Sequence, residues 1–391
     1  MTPCIFPKIG IVGNGRMGTD IFYFLHDFPY RLVWFCRNSE KKIALSKKYD
    51  AKLKRMNKSG AIDESTYQFR LENTIITDSL SGLKDCDLLI ESITEDQDAK
   101  KSLFQELDSL VKAESIFVTN TSSIKPSKLC PDSERKSRFA ALHFFYPIPY
   151  CSSLEITGTD HCSAETISLL QAFAKEIKKN ALLLPEEGAF LLNKIFCYFQ
   201  GQIFRYYKEG ILGKREIDRL VKENIFSMGS FEFLDNIGID IALNATKNYK
   251  EDMEYKEYFD LPIEEMQKKV DKGHLGMKTG KGFYSYGTEP EEEEVLKPVD
   301  PEEKKKREQD FVERLSCLYI ATCLWAIEKG YCTPSELEKA MDEYIGMQKG
   351  PAKLCQEMGQ DRVKNLLLHY YETTQEKIFF GKAELVEKYL N

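Results

Sequence analysis

The segment Lys8–Val12 is short, apolar and β-branched, and it runs straight into Gly13-Asn-Gly-Arg-Met-Gly18. An unbroken apolar run of this length reads as a buried parallel strand. A helical stretch, Met17 to Asp27, follows at once. Three glycines at this spacing between a strand and a helix fit one geometry. Gly13 permits a tight turn, Gly15 lets the backbone approach a pyrophosphate, and Gly18 lets the helix pack on the sheet. The helix start presents unbonded N–H groups to phosphates. Such a loop is a weak signal alone. At the head of a strand–helix–strand unit it predicts an α/β dinucleotide-binding domain.

The alternation continues. Arg31–Cys36, Thr74–Thr77, Cys86–Ile90, Ser115–Thr119 and Phe139–Phe144 read as strands, and Lys41–Asn57 and Glu64–Arg70 as helices between them. This predicts a doubly wound parallel sheet over residues 1–185. From about Pro185 strand signals stop. Phe190–Tyr207, Lys214–Asn224 and Phe231–Ala245 read as helices, and a Gly-rich stretch from Gly273 to Tyr284 closes this unit, 186–287. Residues 288–306, rich in Glu, Lys and Pro, read as a charged linker.

Beyond the linker, 307–391 repeats the helical unit. Lys208-Glu-Gly-Ile with Glu216-Ile217 resembles Glu328-Lys-Gly-Tyr with Glu336-Leu337, and Leu234–Gly238 resembles Leu354–Gly359, one residue out of step. A period above ~100 residues means duplication of a small domain, not a solenoid.

With 391 residues, 42% hydrophobic and 30% charged, the chain suits two or three globular domains. A net charge of -7 argues against a nucleic-acid partner. The 11 cysteines form no CxxC pair and no Cys/His cluster at zinc spacing, so no metal is expected. Scattered thiols fit a reducing cytoplasm. No charged-then-apolar leader precedes the first strand and no apolar run reaches membrane-spanning length, which predicts a cytoplasmic protein without a membrane partner.

Four further segments carry candidate chemistry. The second strand should end in an acid for a ribose 2′-hydroxyl, but Cys36 stands there, followed by Arg37 and Asn38. Arg37 either stacks on adenine or pairs with a 2′-phosphate, which hints at NADP, or is a surface Arg beside an NAD site. The run Asp87 to Asp96 with Lys100 brings Glu91, Glu95 and Lys100 to the carboxyl end of the sheet, where ligands bind, or makes an acidic first helical turn. Thr119-Asn-Thr-Ser-Ser123 offers hydroxyls and an amide to a nicotinamide or a substrate carbonyl, or else caps the next turn. His143, one of five histidines, ends an apolar strand in Leu142-His-Phe-Phe-Tyr-Pro-Ile-Pro149. Glu155 follows in Leu154-Glu-Ile156, and proline-bounded turns let a second strand return beside the first. A carboxylate beside an imidazole orients it and stabilises the imidazolium, as removal of a hydroxyl proton during hydride transfer requires.

Together these motifs resemble the L-3-hydroxyacyl-CoA dehydrogenase family, over nearly the whole chain. The Gly-rich loop with Met17, Ile-Glu-Ser-Ile-Thr-Glu, Asn-Thr-Ser-Ser, His-Phe-Phe and Gly-Met-Lys-Thr-Gly-Lys-Gly-Phe-Tyr fall in family order. The resemblance implies a Rossmann-type domain followed by two all-α domains of the 6-phosphogluconate-dehydrogenase C-terminal type. It implies that NAD and a short-chain (3S)-3-hydroxyacyl-CoA or its 3-keto form are the ligands. His143 is then the catalytic base, Glu155 its partner, Ser122 a contact to substrate and nicotinamide, and Asn193 a substrate-side residue. Gly13, Gly15, Met17, Gly18 and Arg37 would hold the dinucleotide, with Glu95, Lys100 and Asn120 on the nicotinamide side. Lys54, Arg55 and Lys58 look like the family's coenzyme A-contacting hairpin, or are a solvated charged face.

The duplicated helical part resembles that of the multifunctional fatty-acid oxidation proteins, where the second copy packs as a partner subunit would. A monomer with an intrachain pseudo-dimer and a homodimer both fit. Glu313 stands where the repeat puts Asn193, so the second copy reads as structural. The chain departs from the family at Cys36, at Asp20 for Gly, at Tyr146 for Asn, at Gly188-Ala189 for Pro-Gly and at Ser230 for Pro. Two alternatives remain. One is a dehydrogenase of an acyl-carrier-protein thioester or small hydroxy acid. The other is a catalytically silent nucleotide-binding scaffold, against which the intact set His143, Glu155, Ser122 and Asn193 speaks.

Overall fold

The computed structural model describes residues 4–287, 294, 296–344 and 346–390. It divides into two compact units, Met1–Ala189 and Phe190–Asn391.

The first unit is built on eight strands: β1 (Lys8–Val12), β2 (Arg31–Phe35), β3 (Thr74–Thr77), β4 (Leu88–Glu91), β5 (Ile116–Thr119), β6 (Phe139–Phe144), β7 (Ser153–Gly158) and β8 (Asn180–Leu184). Its helices are α1 (Arg16–Leu25), α2 (Ser39–Lys58), α3 (Glu64–Asn73), α4 (Gln97–Leu110) and α5 (Ala164–Glu176). The sheet order is β3-β2-β1-β4-β5-β6-β7-β8. All neighbours through β6 are parallel, β7 is antiparallel to β6, and β8 is parallel to β7. The expected parallel sheet therefore gains a reversed pair at one side, and β8 was not expected.

Strand alternation fills two cores. Ile9, Ile11, Leu32, Trp34, Leu88 and Ile90 enter one cluster, and Val12, Val33, Phe35, Leu89 and Phe117 the other. Both faces are thus buried, which is why the strands read as continuous apolar runs. Chain order reverses between β1 and β4. In this architecture ligands bind at such a reversal, outside the carboxyl ends of the strands.

The second unit is helical: α6 (Leu191–Glu209), α7 (Lys214–Asn224), α8 (Ser230–Ile237), α9 (Ile239–Asp252), α10 (Glu257–Asp271), α11 (Pro301–Glu328), α12 (Pro334–Asp342), α13 (Pro351–Met358), α14 (Gln360–Thr374) and α15 (Lys382–Tyr389). The helix expected over Phe231–Ala245 is two helices, broken at Gly238, whose φ of 100° no helix interior accepts. The stretch expected as linker to residue 306 already turns helical at Pro301. Asp300 accepts hydrogen bonds from the N–H groups of Glu302 and Glu303, and Pro301 fits the first helical position. Residues 288–293 and 295 of that stretch lie outside the described residues. The two expected helical copies lie within this one unit.

Candidate active site

The glycine loop joins β1 to α1, and its three glycines serve three different needs. Gly13 has φ 125°, and a Cβ there would lie 2.2 Å from the Ser92 carbonyl oxygen. Loop and neighbouring β4 exit can approach only because that side chain is absent. A Cβ on Gly18 would lie 2.4 Å from the Gly13 oxygen, so this glycine packs α1 against the loop itself. A Cβ on Gly15 would meet no protein atom within 4 Å. No protein atom crowds this position, and the space left suits the close approach of a phosphate. No side chain caps α1 and no acid occupies its first turn, so its N–H groups and dipole suit an anion. Met17 packs half-buried on the core. These residues fit a dinucleotide.

A residue the sequence did not single out braces this loop. Trp34 on β2 donates its indole N–H to the Gly13 oxygen at 2.8 Å and stacks on Phe22 of α1, ring centroids 4.3 Å apart. One signal was available: it is one of only two tryptophans, and a buried indole seeks an acceptor.

Beyond β4, Glu91 accepts from Lys100 Nζ at 2.6 Å and from the Thr119 hydroxyl at 2.7 Å. Lys100 Nζ also lies 3.3 Å from Glu95. Lys100 was expected on the nicotinamide side. It is only 1% exposed, and its ammonium is taken up by two carboxylates, because an unpaired charge there would be too costly. Its charge acts through Glu95. One Glu95 oxygen gathers the next loop, accepting from the Thr121 hydroxyl, the Ser122 and Ser123 N–H groups and the Ser123 hydroxyl at 2.5–3.2 Å. Burial pushes the Glu95 carboxyl up, but Lys100 and these donors outweigh it and hold it below the usual carboxylate range. Asn120 accepts the Phe144 N–H at 2.9 Å, tying this loop to the end of β6.

His143 and Glu155 are direct partners in the antiparallel register of β6 and β7. Cross-strand partners share a face, and here the imidazole Nδ1 meets the Glu155 carboxylate at 2.8 Å with both groups buried. Phe145 packs edge-on against the imidazole, centroids 4.5 Å apart. Lys179, also missed by the sequence, is buried and donates to the Ile148 and Cys151 carbonyls, holding the turn that brings β7 back.

The structure thus gathers Glu95, Lys100, Asn120 and Ser122 around the carboxyl ends of β4–β6, beside His143 and Glu155. Arg37, Lys54, Arg55 and Lys58 are exposed. Cys36 is buried, and Asn38 is occupied in capping α2. Asn193 belongs to the second unit, where it is half-buried on α6. Among the described residues no helix is long and apolar enough to cross a membrane, and no group of three His, Cys, Asp or Glu forms a metal site.

Comparison with known proteins agrees with this construction. The NAD binding domain of 3-hydroxyacyl-CoA dehydrogenase matches residues 8–187, and the C-terminal domain of the same enzymes matches residues 189–286 and 311–391. The mitochondrial hydroxyacyl-coenzyme A dehydrogenase of Sus scrofa is 30% identical over 285 residues, 71% of this chain and 90% of that one. A 3-hydroxybutyryl-CoA dehydrogenase of Bradyrhizobium diazoefficiens is 27% identical over 288 residues, 73% of this chain and 98% of that one. Among solved structures, the (S)-3-hydroxybutyryl-CoA dehydrogenase of Ralstonia eutropha matches with a TM-score of 0.64 and 26% identity, covering 72% of this chain and all of its own. The 3-hydroxybutyryl-CoA dehydrogenase of Escherichia coli shares the fold at a TM-score of 0.81 over 98% of both chains, at 20% identity. With both domains matched in order, this chain belongs to the 3-hydroxyacyl-CoA dehydrogenase family, oxidoreductases that work with a nicotinamide cofactor.

Proposed function

We propose that this protein interconverts a short-chain (3S)-3-hydroxyacyl-CoA and its 3-ketoacyl-CoA. The observation that carries the reading is the buried His143–Glu155 pair at the end of β6. Glu155 accepts the Nδ1–H, which selects the tautomer with its lone pair on Nε2. In the oxidative direction Nε2 takes the proton of the 3-hydroxyl. The Glu155 carboxylate stabilises the imidazolium, and the proton returns by the same path in reduction. A bound nicotinamide supplies the hydride acceptor or donor. Ser122, on a loop ordered by Glu95, hydrogen-bonds the reacting oxygen. Asn193 contacts the thioester side, an assignment taken from the family resemblance.

Gly13, Gly15, Met17 and Gly18 hold the pyrophosphate, with Asn120 and Glu95 shaping the nicotinamide side. NAD is the cofactor in this reading. Because buried Cys36 offers no carboxylate to the 2′-hydroxyl and Arg37 is exposed beside it, NADPH is the comparison to make. Lys54, Arg55 and Lys58, exposed on the last turns of α2, meet the phosphates of coenzyme A. The helical unit is read as two copies, about 186–287 and 307–391, which form a pseudo-dimer within one chain. Cytoplasmic residence is part of the reading, and fractionation tests it.

The deciding experiment follows reduced-nicotinamide absorbance with acetoacetyl-CoA, separately with NADH and NADPH, and with carrier-protein and free-acid analogues. Turnover with the CoA thioester and NADH is expected. Preference for the carrier-bound or free acid would move the substrate class, and silence with all of them would leave a nucleotide-binding scaffold.

A further inference from the structure

The second helical copy carries no counterpart of Asn193, yet it reaches Asn193 itself. From Leu191 to Phe204 every residue of α6 is buried except Asn193. Its carboxamide sits between two phenols. Nδ2 donates to the Tyr249 hydroxyl at 3.1 Å, and the Tyr344 hydroxyl donates to Oδ1 at 2.7 Å. Tyr249 lies on α9 of the first copy. Tyr344 lies after α12 in the second, 151 residues from Asn193. We infer that Tyr344 is a positioning residue for Asn193, so that the second copy sets which way the first copy's carboxamide faces; this rests on Asn193 being a substrate contact.

The chemistry is as follows. The terminal torsion of Asn is broad and roughly two-fold, so an exposed carboxamide swaps its oxygen and nitrogen freely. Two partners of opposite demand, a donor at Oδ1 and an acceptor at Nδ2, remove that ambiguity. The carboxamide has one further N–H and one further lone pair for a ligand, in a fixed sense. Tyr344 can impose this because its ring is packed in the core. It is 1% exposed, and its ring lies 6.5 Å from that of Phe196, one turn beyond Asn193.

The segment that follows Tyr344 is clasped to the corresponding segment of the first copy. The Ser227 N–H donates to the Gly346 oxygen at 2.9 Å, and the Gln348 N–H donates to the Ile225 oxygen at 3.0 Å. The Gln348 side chain donates to the Lys222 oxygen at 2.6 Å. Glu313, at the repeat position of Asn193, instead accepts from Arg362 and Gln309 of its own copy.

The test is a mutant cycle on the full chain. Tyr344→Phe keeps the ring and removes the donor. It is expected to lower kcat/KM for acetoacetyl-CoA about three- to tenfold, the worth of one hydrogen bond, with NADH affinity unchanged. In an Asn193→Ala background the same change is expected to do nothing more. Losses that multiply in that background overturn the inference, as does wild-type kcat/KM in Tyr344→Phe when Asn193→Ala is impaired. Wild-type kinetics in Asn193→Ala itself would instead remove the substrate-side reading, and the inference with it. If Tyr344→Phe does not fold, Gln348→Ala loosens the clasp without touching Asn193. It is expected to show the same dependence on Asn193, and multiplying losses there also overturn the inference.

Discussion

The two units place their buried polar side chains differently. In the first unit one group of them gathers at one edge: Glu91, Lys100, Thr119, Asn120, His143 and Glu155 lie at or beyond the carboxyl ends of β4–β6, or are aimed there. In the second, half-buried carboxylates are spread along helix contacts. Asp310 accepts from the Tyr206 hydroxyl, and Glu376 accepts from Arg205, Arg314 and Tyr258, joining α6, α10 and α11. Buried charge does two kinds of work here. Concentrated at an edge it orders a loop and orients an imidazole; distributed between helices it holds one packing arrangement. The distinction predicts which substitutions harm turnover and which harm stability.

The largest expected effect is on His143→Gln, which removes the proposed base. Turnover should fall at least about a hundredfold while the thermal midpoint stays near wild type. Near-wild-type turnover would break the contrast from the first unit's side. Glu376→Gln should do the opposite, losing stability by about 2 kcal/mol as Arg205 and Arg314 lose their carboxylate partner. That is a midpoint drop of roughly 4–8 °C, with unchanged kcat per folded molecule. Loss of kcat with an intact midpoint would break the contrast from the other side.

A smaller effect separates two histidines within the first unit. His143 has a carboxylate partner, whereas His26 meets the Tyr49 hydroxyl at 3.0 Å. Burial first, then the charges of Arg70 and Lys52, depress the His26 pKa to about 3. Below the ordinary value near 6.5, the unfolded chain binds a proton that the folded chain refuses. Stability is therefore present above about pH 6.5 and is lost as pH falls toward 3, by about 1.4 kcal/mol at pH 5.5. Urea midpoints of His26→Phe should show a shallower acid slope between pH 7 and 5; an unchanged slope removes His26 as the cause. The smallest effect belongs to Glu313→Ala. It breaks an ion pair with the largely exposed Arg362, and should cost about 0.5 kcal/mol or less with kcat/KM unaltered. A clear loss of kcat/KM would show the second copy to be more than structural.

Local order in the sequence was legible wherever one chain segment decides its own structure. β1, β3, β6 and α7 occupy the spans that their apolar runs and helical periods predict. The glycine loop was legible because its spacing is a backbone requirement. α8 and α9 were merged because Gly238 interrupts an apolar period without ending it. β8 and α10 were overlooked. Leu183 is exposed between buried Leu182 and Leu184 on β8, and α10 carries Pro262 inside it, so neither reads cleanly from propensity. That the Lys100 ammonium is buried between Glu91 and Glu95 was not legible, because no local pattern reveals which carboxylates a lysine will meet.

By itself the sequence determined the alternating strands and helices, the glycine cradle and the presence of an imidazole and a carboxylate near the ends of two short strands. These follow from steric limits on neighbouring residues and from the period of side chains along an element. Only the tertiary structure decided that β7 returns in the register that sets Glu155 opposite His143, that Lys179 holds the turn between them, and that Tyr344 reaches Asn193 across 151 residues. Such pairings have no local signature. They arise when separate elements bury their apolar faces together, and the polar groups carried inward must then find partners within reach.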